Sequence, residues 1–290
     1  MKRFVAALAI LPLLASPASA RTILFVGNSF TYGQYSAAKY YQNDTVTDLN
    51  PPEAGADGRT IGGMPAIFKA MTKEAGLDYQ VSLETVGGKG LDYHYTEKLP
   101  LLDKAWDDVV LQSYSTLDAA KPGDPALLTK YTQAFADTLT ARNPQAKIWL
   151  DATWSRADLT YQPGKPWSGK PIEQMGLDVA KGYDAAAKAT PKVAGVIAVG
   201  LAFNRAMAVG LADRNPDDGI GAGQINLWAY EGYHASAYGY YLEALLVFGR
   251  VTGRDPLSLG DKERVAADFG FSPAVTKALQ QVAHDQLAAK

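Results

Sequence analysis

Five short, continuous apolar runs alternate with stretches of helical spacing, and this alternation limits the fold more than any other feature. Strands that form unbroken apolar runs are covered on both faces, and strands separated by helices pair in parallel. The sequence therefore predicts an α/β fold, a three-layer α/β/α sandwich with a mainly parallel five-stranded sheet. The predicted strands fall in residues 21–27, 79–88, 106–115, 146–154 and 192–200.

Three long segments rich in Gly, Pro, Asn and Asp interrupt this pattern. They span residues 40–63, 155–171 and 213–234, and each is predicted to be a loop. Loops of this length within a compact domain are more often functional than idle. Ligands of parallel α/β sheets bind at the carboxyl ends of the strands. At least two of these loops leave or approach that edge, so we expect a binding site there.

The first twenty residues differ from the rest of the chain. Residues 1–3 include two basic side chains, residues 4–15 are mainly apolar, and residues 16–20 end in a small-x-small pattern. This order predicts a secretory signal peptide with cleavage after Ala20. We expect residues 21–290 to form a single domain that is periplasmic or secreted. No later apolar run reaches the ~18 residues of a transmembrane helix, so no membrane span is expected after cleavage.

The amino-acid composition excludes several kinds of nucleophile, metal site and partner. The chain has no cysteine, which excludes disulfides, thiol nucleophiles and thiolate metal ligands, and it has three histidines. Without Lys2 and Arg3, 26 basic side chains face 30 acidic ones (28 − 2 against 30), and this balance argues against a nucleic-acid partner. His234 has no second histidine four residues on, the spacing of a helical zinc site. We therefore predict neither a metal nor an organic cofactor.

A serine follows the first predicted strand in the motif GNSFT, residues 27–31. Two interpretations of Ser29 are open. It is either an N-cap that accepts a backbone hydrogen bond at the start of a helix, or a nucleophile at the carboxyl end of the strand. A hydroxyl is a poor nucleophile until a base removes its proton, and the oxyanion that forms needs nearby N–H donors. The second interpretation therefore requires a base elsewhere in the chain.

The motif EGYH near the C-terminus supplies a candidate base. Glu231 precedes His234 by three residues, on a loop that enters a strong predicted helix. A carboxylate at this spacing can turn back to the imidazole, fix its tautomer and stabilise the imidazolium. The alternative is an unrelated pair of surface side chains.

With both motifs in this order on an α/β pattern, the chain resembles the SGNH (GDSL-type) hydrolase superfamily. Its first block is Gly-Asp-Ser, which residues 27–29 match with Asn28 in place of Asp, and its last block is Asp-x-x-His, which EGYH matches with Glu231 in place of Asp. GNSFT and EGYH look most like a little-characterised bacterial subgroup. The resemblance implies a flavodoxin-like SGNH fold and a triad of Ser29, His234 and Glu231.

The resemblance also implies an oxyanion hole. It would use the backbone N–H of Ser29 and of a glycine after the second strand, for which Gly90 is favoured and Gly88 is the alternative; a flexible turn explains these glycines equally well. The superfamily's third-block asparagine is missing. Gln112 has the amide chemistry to replace it, and Ser113 and Ser115 are further donors. Gln112 is otherwise only the residue at the end of its strand.

Aromatic residues are frequent in the predicted rim loops, and flat rings with polar handles suit sugars or aryl groups. We predict that Asn28, His94, Trp154 and Trp228 line the substrate site, although a structural role is the favoured interpretation for His94. The predicted function is an exported esterase that removes short acyl groups, such as acetyl, from small-molecule or carbohydrate esters. The alternatives are a non-catalytic carbohydrate-binding relative and, less favoured without a G-x-G-x-x-G motif, a nucleotide-binding protein. The aromatic residues are Tyr32, Tyr35, Tyr40, Tyr41, Trp154, Tyr161, Trp167, Trp228 and Tyr230.

Overall fold

The computed structural model describes residues 20–51 and 58–289. The predicted signal peptide lies outside the described residues apart from Ala20. The described residues form one six-stranded sheet whose neighbouring strands all pair in parallel. The strands are β1 (Arg21–Gly27), β2 (Thr47–Asp48), β3 (Tyr79–Thr85), β4 (Asp108–Leu111), β5 (Lys147–Ala152) and β6 (Val193–Ala198).

All five predicted strands are present, and the sheet contains one more. The additional strand, β2, is two residues long and pairs with β3 at the edge of the sheet, inside the first long loop. Its residues are exposed or half-buried. A strand this short and this exposed needs no apolar run, so the sequence pattern did not reveal it.

Helices cover both faces of the sheet, which confirms the three-layer sandwich. Side chains of a strand alternate between its two faces. The helices of the described residues are α1 (Ser29–Tyr32), α2 (Gly63–Glu74), α3 (Leu91–Glu97), α4 (Leu99–Leu102), α5 (Ala126–Arg142), α6 (Ala157–Thr160), α7 (Glu173–Ala189), α8 (Val199–Ala208), α9 (Ala237–Thr252), α10 (Arg264–Asp268) and α11 (Pro273–Ala288). In β1, Ile23 and Phe25 pack with α2, α8, α9 and α11, whereas Leu24 and Val26 pack with α3, α5 and α7. Within the described ranges, no helix is both long and apolar enough to cross a membrane.

The strand order places the candidate site. The sheet runs β2-β3-β1-β4-β5-β6, so the chain leaves β1 toward one edge and later returns to the other side of β1 with β4. Such a switch opens a crevice outside the carboxyl ends of the two central strands. The segment after β1 begins with Asn28 and Ser29, and the segment after β4 begins with Gln112. The two predicted site segments are therefore neighbours at this crevice.

Candidate active site

The turn after β1 shows which residue caps the first helix. The side-chain oxygen of Asn28 accepts a hydrogen bond from the N–H of Phe30, at 3.1 Å, so Asn28 is the N-cap of α1. Ser29 is the first residue of the helix and is 6% exposed. The first N–H groups of a helix have no partner inside it. The Ser29 hydroxyl therefore has no capping role, and the Ser29 N–H stands at the start of the helix.

Asn28 also connects the three segments that meet at the crevice. Its side-chain NH2 donates to the carbonyl of Lys89 at 2.8 Å and to that of Ser113 at 3.1 Å. The first carbonyl lies in the loop after β3 and the second in the loop after β4. A carboxylate here would face two carbonyl oxygens with no proton to donate. These contacts explain why asparagine fits where the resembling superfamily has aspartate.

Gln112 stabilises the same turn through hydrogen bonds from the end of β4. Its Oε1 accepts from the Asn28 N–H at 2.9 Å and from the Thr31 hydroxyl at 3.1 Å, and its NH2 group donates to the Ser113 carbonyl. A Cβ at Gly27 would stand 2.7 Å from the same Oε1, so only glycine fits beside it. Gln112 thus positions the turn through contacts that do not involve Ser29. Its role as an oxyanion donor remains a prediction.

The two candidate glycines after β3 are glycine for different reasons. Gly88 has φ +70° and is exposed, so its backbone conformation favours glycine. Gly90 has φ −110°, which any residue adopts, but a Cβ there would lie 2.3 Å from the Tyr114 ring. Because Asn28 holds the carbonyl of Lys89, which lies between them in the chain, both glycines lie close to the turn that carries Ser29. The choice between their N–H groups as the second oxyanion donor remains a prediction.

The EGYH loop forms the predicted contact between Glu231 and His234. Glu231 Oε1 lies 2.5 Å from His234 Nδ1 and also accepts the His234 backbone N–H at 2.7 Å. Gly232, with φ +67°, provides the sharp turn that brings the carboxylate back. The imidazole packs beside Phe30, with ring centroids 5.5 Å apart, so the candidate base lies next to the residue that follows Ser29. Among the residues that the structure describes, His234 Nε2 is buried and has no hydrogen-bond partner.

Trp154 and Trp228 do not line a substrate surface, and that prediction was wrong. They are 0% and 1% exposed. The Trp154 indole donates to the Tyr233 carbonyl at 3.2 Å, and the Trp228 indole donates to the Ser155 carbonyl at 2.8 Å. Trp154 thus holds the backbone of the loop that carries His234, and Trp228, which belongs to that loop, anchors it to the segment after β5. They support the site from the core.

A cation and two rings form a stack that the sequence did not reveal. The Arg156 guanidinium lies 3.5 Å from the centroid of the Tyr233 ring, and Tyr233 stacks on His234 with centroids 4.1 Å apart. Asp158 holds the guanidinium through two hydrogen bonds of 3.0 and 2.7 Å. No motif marks Arg156 in the sequence, since its partner Tyr233 is far away along the chain.

The environment of His234 favours the neutral imidazole. Burial lowers the pKa of His234 below its usual value, the Glu231 carboxylate opposes this shift, and the positive charge of Arg156 adds to it. A carboxylate on Nδ1 selects the tautomer that carries its proton there. Nε2 is then left with a lone pair that can accept a proton.

A cavity of about 280 Å³ opens beside the turn. Its lining includes Asn28, Gly88, Ser115, Arg156 and Tyr233, so it reaches both the turn after β1 and the stack of Arg156 on Tyr233. A wider cleft of about 810 Å³ lies elsewhere, between β6, α9 and α11, and none of the candidate catalytic residues lines it. Ser29, Glu231 and His234 are not among the lining residues of the smaller cavity either, but their chain neighbours Asn28 and Tyr233 are, so the smaller cavity is the one that adjoins the candidate site.

His94 lies in the core and does not line the site, so that prediction was wrong as well. It is 0% exposed, and its Nδ1 lies 2.5 Å from Glu84 Oε2. The pair connects α3 to β3, as the structural alternative requires. His284, on α11, faces Asp255, which lies just after α9. Both side chains are exposed.

Comparison with known proteins identifies the fold. Neither a protein-family model nor a curated protein sequence matches the chain. Among solved structures, a DUF4886 family protein from Bacteroides uniformis is 16% identical, with 93% of this chain and 95% of that chain covered and a TM-score of 0.60. An SGNH hydrolase from Slackia heliotrinireducens is 21% identical over 80% of this chain and 99% of that chain, with a TM-score of 0.52.

A third similar structure is LAE5, an alpha/beta hydrolase enzyme from the metagenome of Lake Arreo in Spain. It is 13% identical over 80% of this chain and 96% of that chain, with a TM-score of 0.51. At identities this low, the structural similarity shows a common fold and nothing finer. The predicted SGNH hydrolase fold is thereby confirmed.

Proposed function

We propose that this SGNH-fold chain is an exported serine esterase that hydrolyses short-chain acyl esters, with Ser29 as nucleophile, His234 as base and Glu231 as the residue that orients the base. One observation carries the proposal. His234 presents a buried Nε2 that has no partner among the described residues, beside the residue that follows Ser29, while Glu231 holds its Nδ1 at 2.5 Å. The hydrolase relatives with this fold support the general reaction class.

The unpartnered Nε2 needs a physical explanation. A buried polar atom without a hydrogen bond costs about 1–3 kcal/mol, and at the crevice a partner that arrives with the ester would remove this cost. In this structure, Nε2 and the Ser29 hydroxyl are not hydrogen bonded. Catalytic hydrogen bonds are often long in the absence of substrate and shorten when it binds. We therefore expect the bond between Ser29 and His234 to form with the ester in place.

The proposed reaction has two halves. His234 Nε2 takes the Ser29 proton as Oγ bonds to the ester carbonyl carbon, and the carbonyl electrons move to the oxygen. The N–H of Ser29, with that of Gly90 or Gly88, stabilises this oxyanion. The oxyanion collapses and expels the alcohol oxygen, which receives the proton from Nε2. Water, deprotonated by His234, then attacks the acyl-enzyme, so that the acid leaves and Ser29 regains its proton.

The cavity supports a short acyl group. Its volume of about 280 Å³ is near the lower end of the roughly 300–1,000 Å³ of typical small-molecule sites. Polar side chains such as Ser115 and Arg156 are part of its lining. A long alkyl chain needs a longer and more apolar channel, so acetyl and similarly short groups fit best. Export of the enzyme is proposed from the N-terminal sequence.

The test compares the wild-type mature chain with Ser29→Ala and His234→Ala on 4-nitrophenyl acetate, butyrate and palmitate. We expect wild-type turnover to fall steeply with chain length and both variants to lose it. Ser258→Ala, in an exposed turn far from the crevice, is the matched serine control. Activity of Ser29→Ala equal to wild type would remove Ser29 from the mechanism. Failure of the wild type on every ester would favour the non-catalytic carbohydrate-binding relative.

A further inference from the structure

Two exposed tyrosines stand next to the candidate base. Tyr35, just after α1, is 52% exposed, and Tyr230, just before Glu231, is 80% exposed. Their ring centroids are 5.2 Å apart with planes at 59°, and the Tyr35 ring is 5.4 Å from that of His234. The three rings therefore lead from His234 out to solvent. We call Tyr35 and Tyr230 the aromatic platform.

The other aromatic residues of the predicted rim loops are less exposed or are engaged in other contacts. Trp154, Trp167 and Trp228 are buried at 0%, 4% and 1% exposure. Tyr161 is 39% exposed, but its hydroxyl donates to the Arg214 carbonyl. Of the nine aromatic residues that the sequence placed in these loops, the structure leaves the two of the platform most exposed and in ring contact with each other.

The backbone at Tyr35 is strained, which indicates that its ring has a purpose. Its φ of +59° lies in the left-handed region, where glycine or asparagine would be more stable. The preceding residues tie this loop to the nucleophile, because the Gln34 N–H donates to the Ser29 carbonyl at 3.2 Å. A bulky, exposed residue held in an unfavourable conformation beside a candidate active site is a reason to look for a ligand contact.

The chemistry of the proposed reaction identifies which part of the ester lies there. His234 returns its proton to the leaving alcohol oxygen, so that oxygen must approach Nε2. One side of the imidazole is covered by the Tyr233 ring and the Arg156 guanidinium. The rest of the alcohol must therefore extend toward the open side of His234, where the aromatic platform begins.

Resting on the proposed function, we infer that the aromatic platform is the subsite for the leaving alcohol and that this alcohol is a sugar ring. Sugars offer an apolar C–H face that packs on an aromatic ring, while their hydroxyls stay hydrated. The platform is open to water and has two phenolic hydroxyls at its edge. An aryl or alkyl alcohol gains most from an enclosed apolar pocket, and the platform encloses nothing.

The kinetic test uses five proteins: wild type, Tyr35→Asn, Tyr230→Ala, the variant that combines these two substitutions, and the exposed-residue control Leu177→Ala, which lies on α7. Three acetate esters differ only in the alcohol: ethyl acetate, phenyl acetate and an O-acetylated oligosaccharide. We expect the ratio of the sugar-ester KM to the ethyl acetate KM to rise about 10-fold when both tyrosines are replaced, since one ring contact accounts for about 2- to 12-fold. Leu177→Ala should leave the ratio at the wild-type value.

Asparagine tolerates the left-handed backbone, so Tyr35→Asn removes the ring without adding strain. Its Tm should equal or exceed that of wild type, which separates loss of the ring from damage to the fold. An unchanged KM ratio overturns the inference and leaves the proposed esterase function intact. An equal rise for phenyl acetate and the sugar ester also overturns it, because the occupant is then any flat ring.

A binding measurement tests whether the aromatic platform contacts the sugar, independently of hydrolysis. Calorimetric titration of the acetylated oligosaccharide into Ser29→Ala protein should give a Kd that rises about 10-fold when Tyr35→Asn and Tyr230→Ala are added. An unchanged Kd overturns the inference. If the Kd shifts as expected but the wild type hydrolyses no ester, the esterase function is contradicted and the sugar-binding site is retained.

Discussion

Two glutamate–histidine pairs in this chain share one contact and differ in their surroundings. In each pair a carboxylate oxygen lies 2.5 Å from the imidazole Nδ1, and within the described ranges the Nε2 atom of each has no partner. The side chains of Glu84 and His94 are both 0% exposed, whereas those of Glu231 and His234 are 21% and 7% exposed. The contact alone therefore does not identify a catalytic pair.

Location distinguishes the two pairs. Glu84 and His94 join β3 to α3 inside the protein. Glu231 and His234 lie on a loop before α9, against Phe30 and Tyr35 at the crevice. The first pair is expected to contribute to stability and the second to turnover. Matched substitutions in the two pairs test this division of roles.

The largest contrast is expected between His234→Ala and His94→Ala. Loss of the base should lower kcat by about 10⁴-fold or more with little change in Tm. Removing His94 leaves the Glu84 carboxylate buried without its partner, which should cost about 3–5 kcal/mol of unfolding free energy. Urea unfolding and ester hydrolysis, measured on both variants, check the contrast. Loss of turnover in a stable, folded His94→Ala protein would abolish the distinction.

A smaller contrast is expected between the two glutamates. Glu231→Gln keeps the shape of the side chain but not its charge, so kcat should fall by about 10²-fold, less than for His234→Ala. Glu84→Gln should instead lower the unfolding free energy by about 1–3 kcal/mol. The same two assays apply. A Glu231→Gln enzyme as inactive as His234→Ala would show that the carboxylate does more than orient the base.

The smallest effect concerns the pH profile. Because the pKa of His234 is lowered, kcat/KM should lose activity on acidification only below the usual pKa of histidine, about 6.5. The groups facing the imidazole are Glu231, Arg156, Asp158 and the two tyrosines Tyr35 and Tyr233. Arg156→Gln removes a positive charge that lowers this pKa, so the acid limb should move to higher pH.

Arg156→Lys is the control for that shift. It keeps the charge and loses the flat stacking on Tyr233, so its acid limb should stay closer to the wild-type position. A stability role for Arg156 alone would change Tm and leave the acid limb in place. The pH dependence of kcat/KM, measured for the three proteins, distinguishes the two roles.

The sheet was predictable because its strands are covered on both faces. Residues 23–26 have to be apolar on both sides of β1, and a continuous apolar run is easily recognised. β2 was missed because an exposed edge strand of two residues carries no such pattern. The motifs GNSFT and EGYH were informative because their contacts join residues that are close in sequence: Asn28 caps the helix two residues on, and Glu231 contacts His234 three residues on.

Contacts between distant segments were not predictable. Trp154 ends a predicted strand and Trp228 lies in a predicted loop, and only the folded chain shows both rings buried, each donating to the backbone of the other segment. Arg156 meets Tyr233 across 77 residues (233 − 156). Glu84 and His94 are ten residues apart, with a strand end, a turn and a helix start between them. No spacing rule covers these pairs.

The nucleophile is the central claim, and covalent labelling tests it most directly. An activated alkyl phosphonate, incubated with the mature protein and followed by intact mass spectrometry, should add one adduct per chain. Fragmentation of the tryptic peptide of residues 22–39 should place the adduct on Ser29. Labelling should be absent in Ser29→Ala and much slower in His234→Ala. An adduct on another residue, or one that persists in Ser29→Ala, would contradict the account.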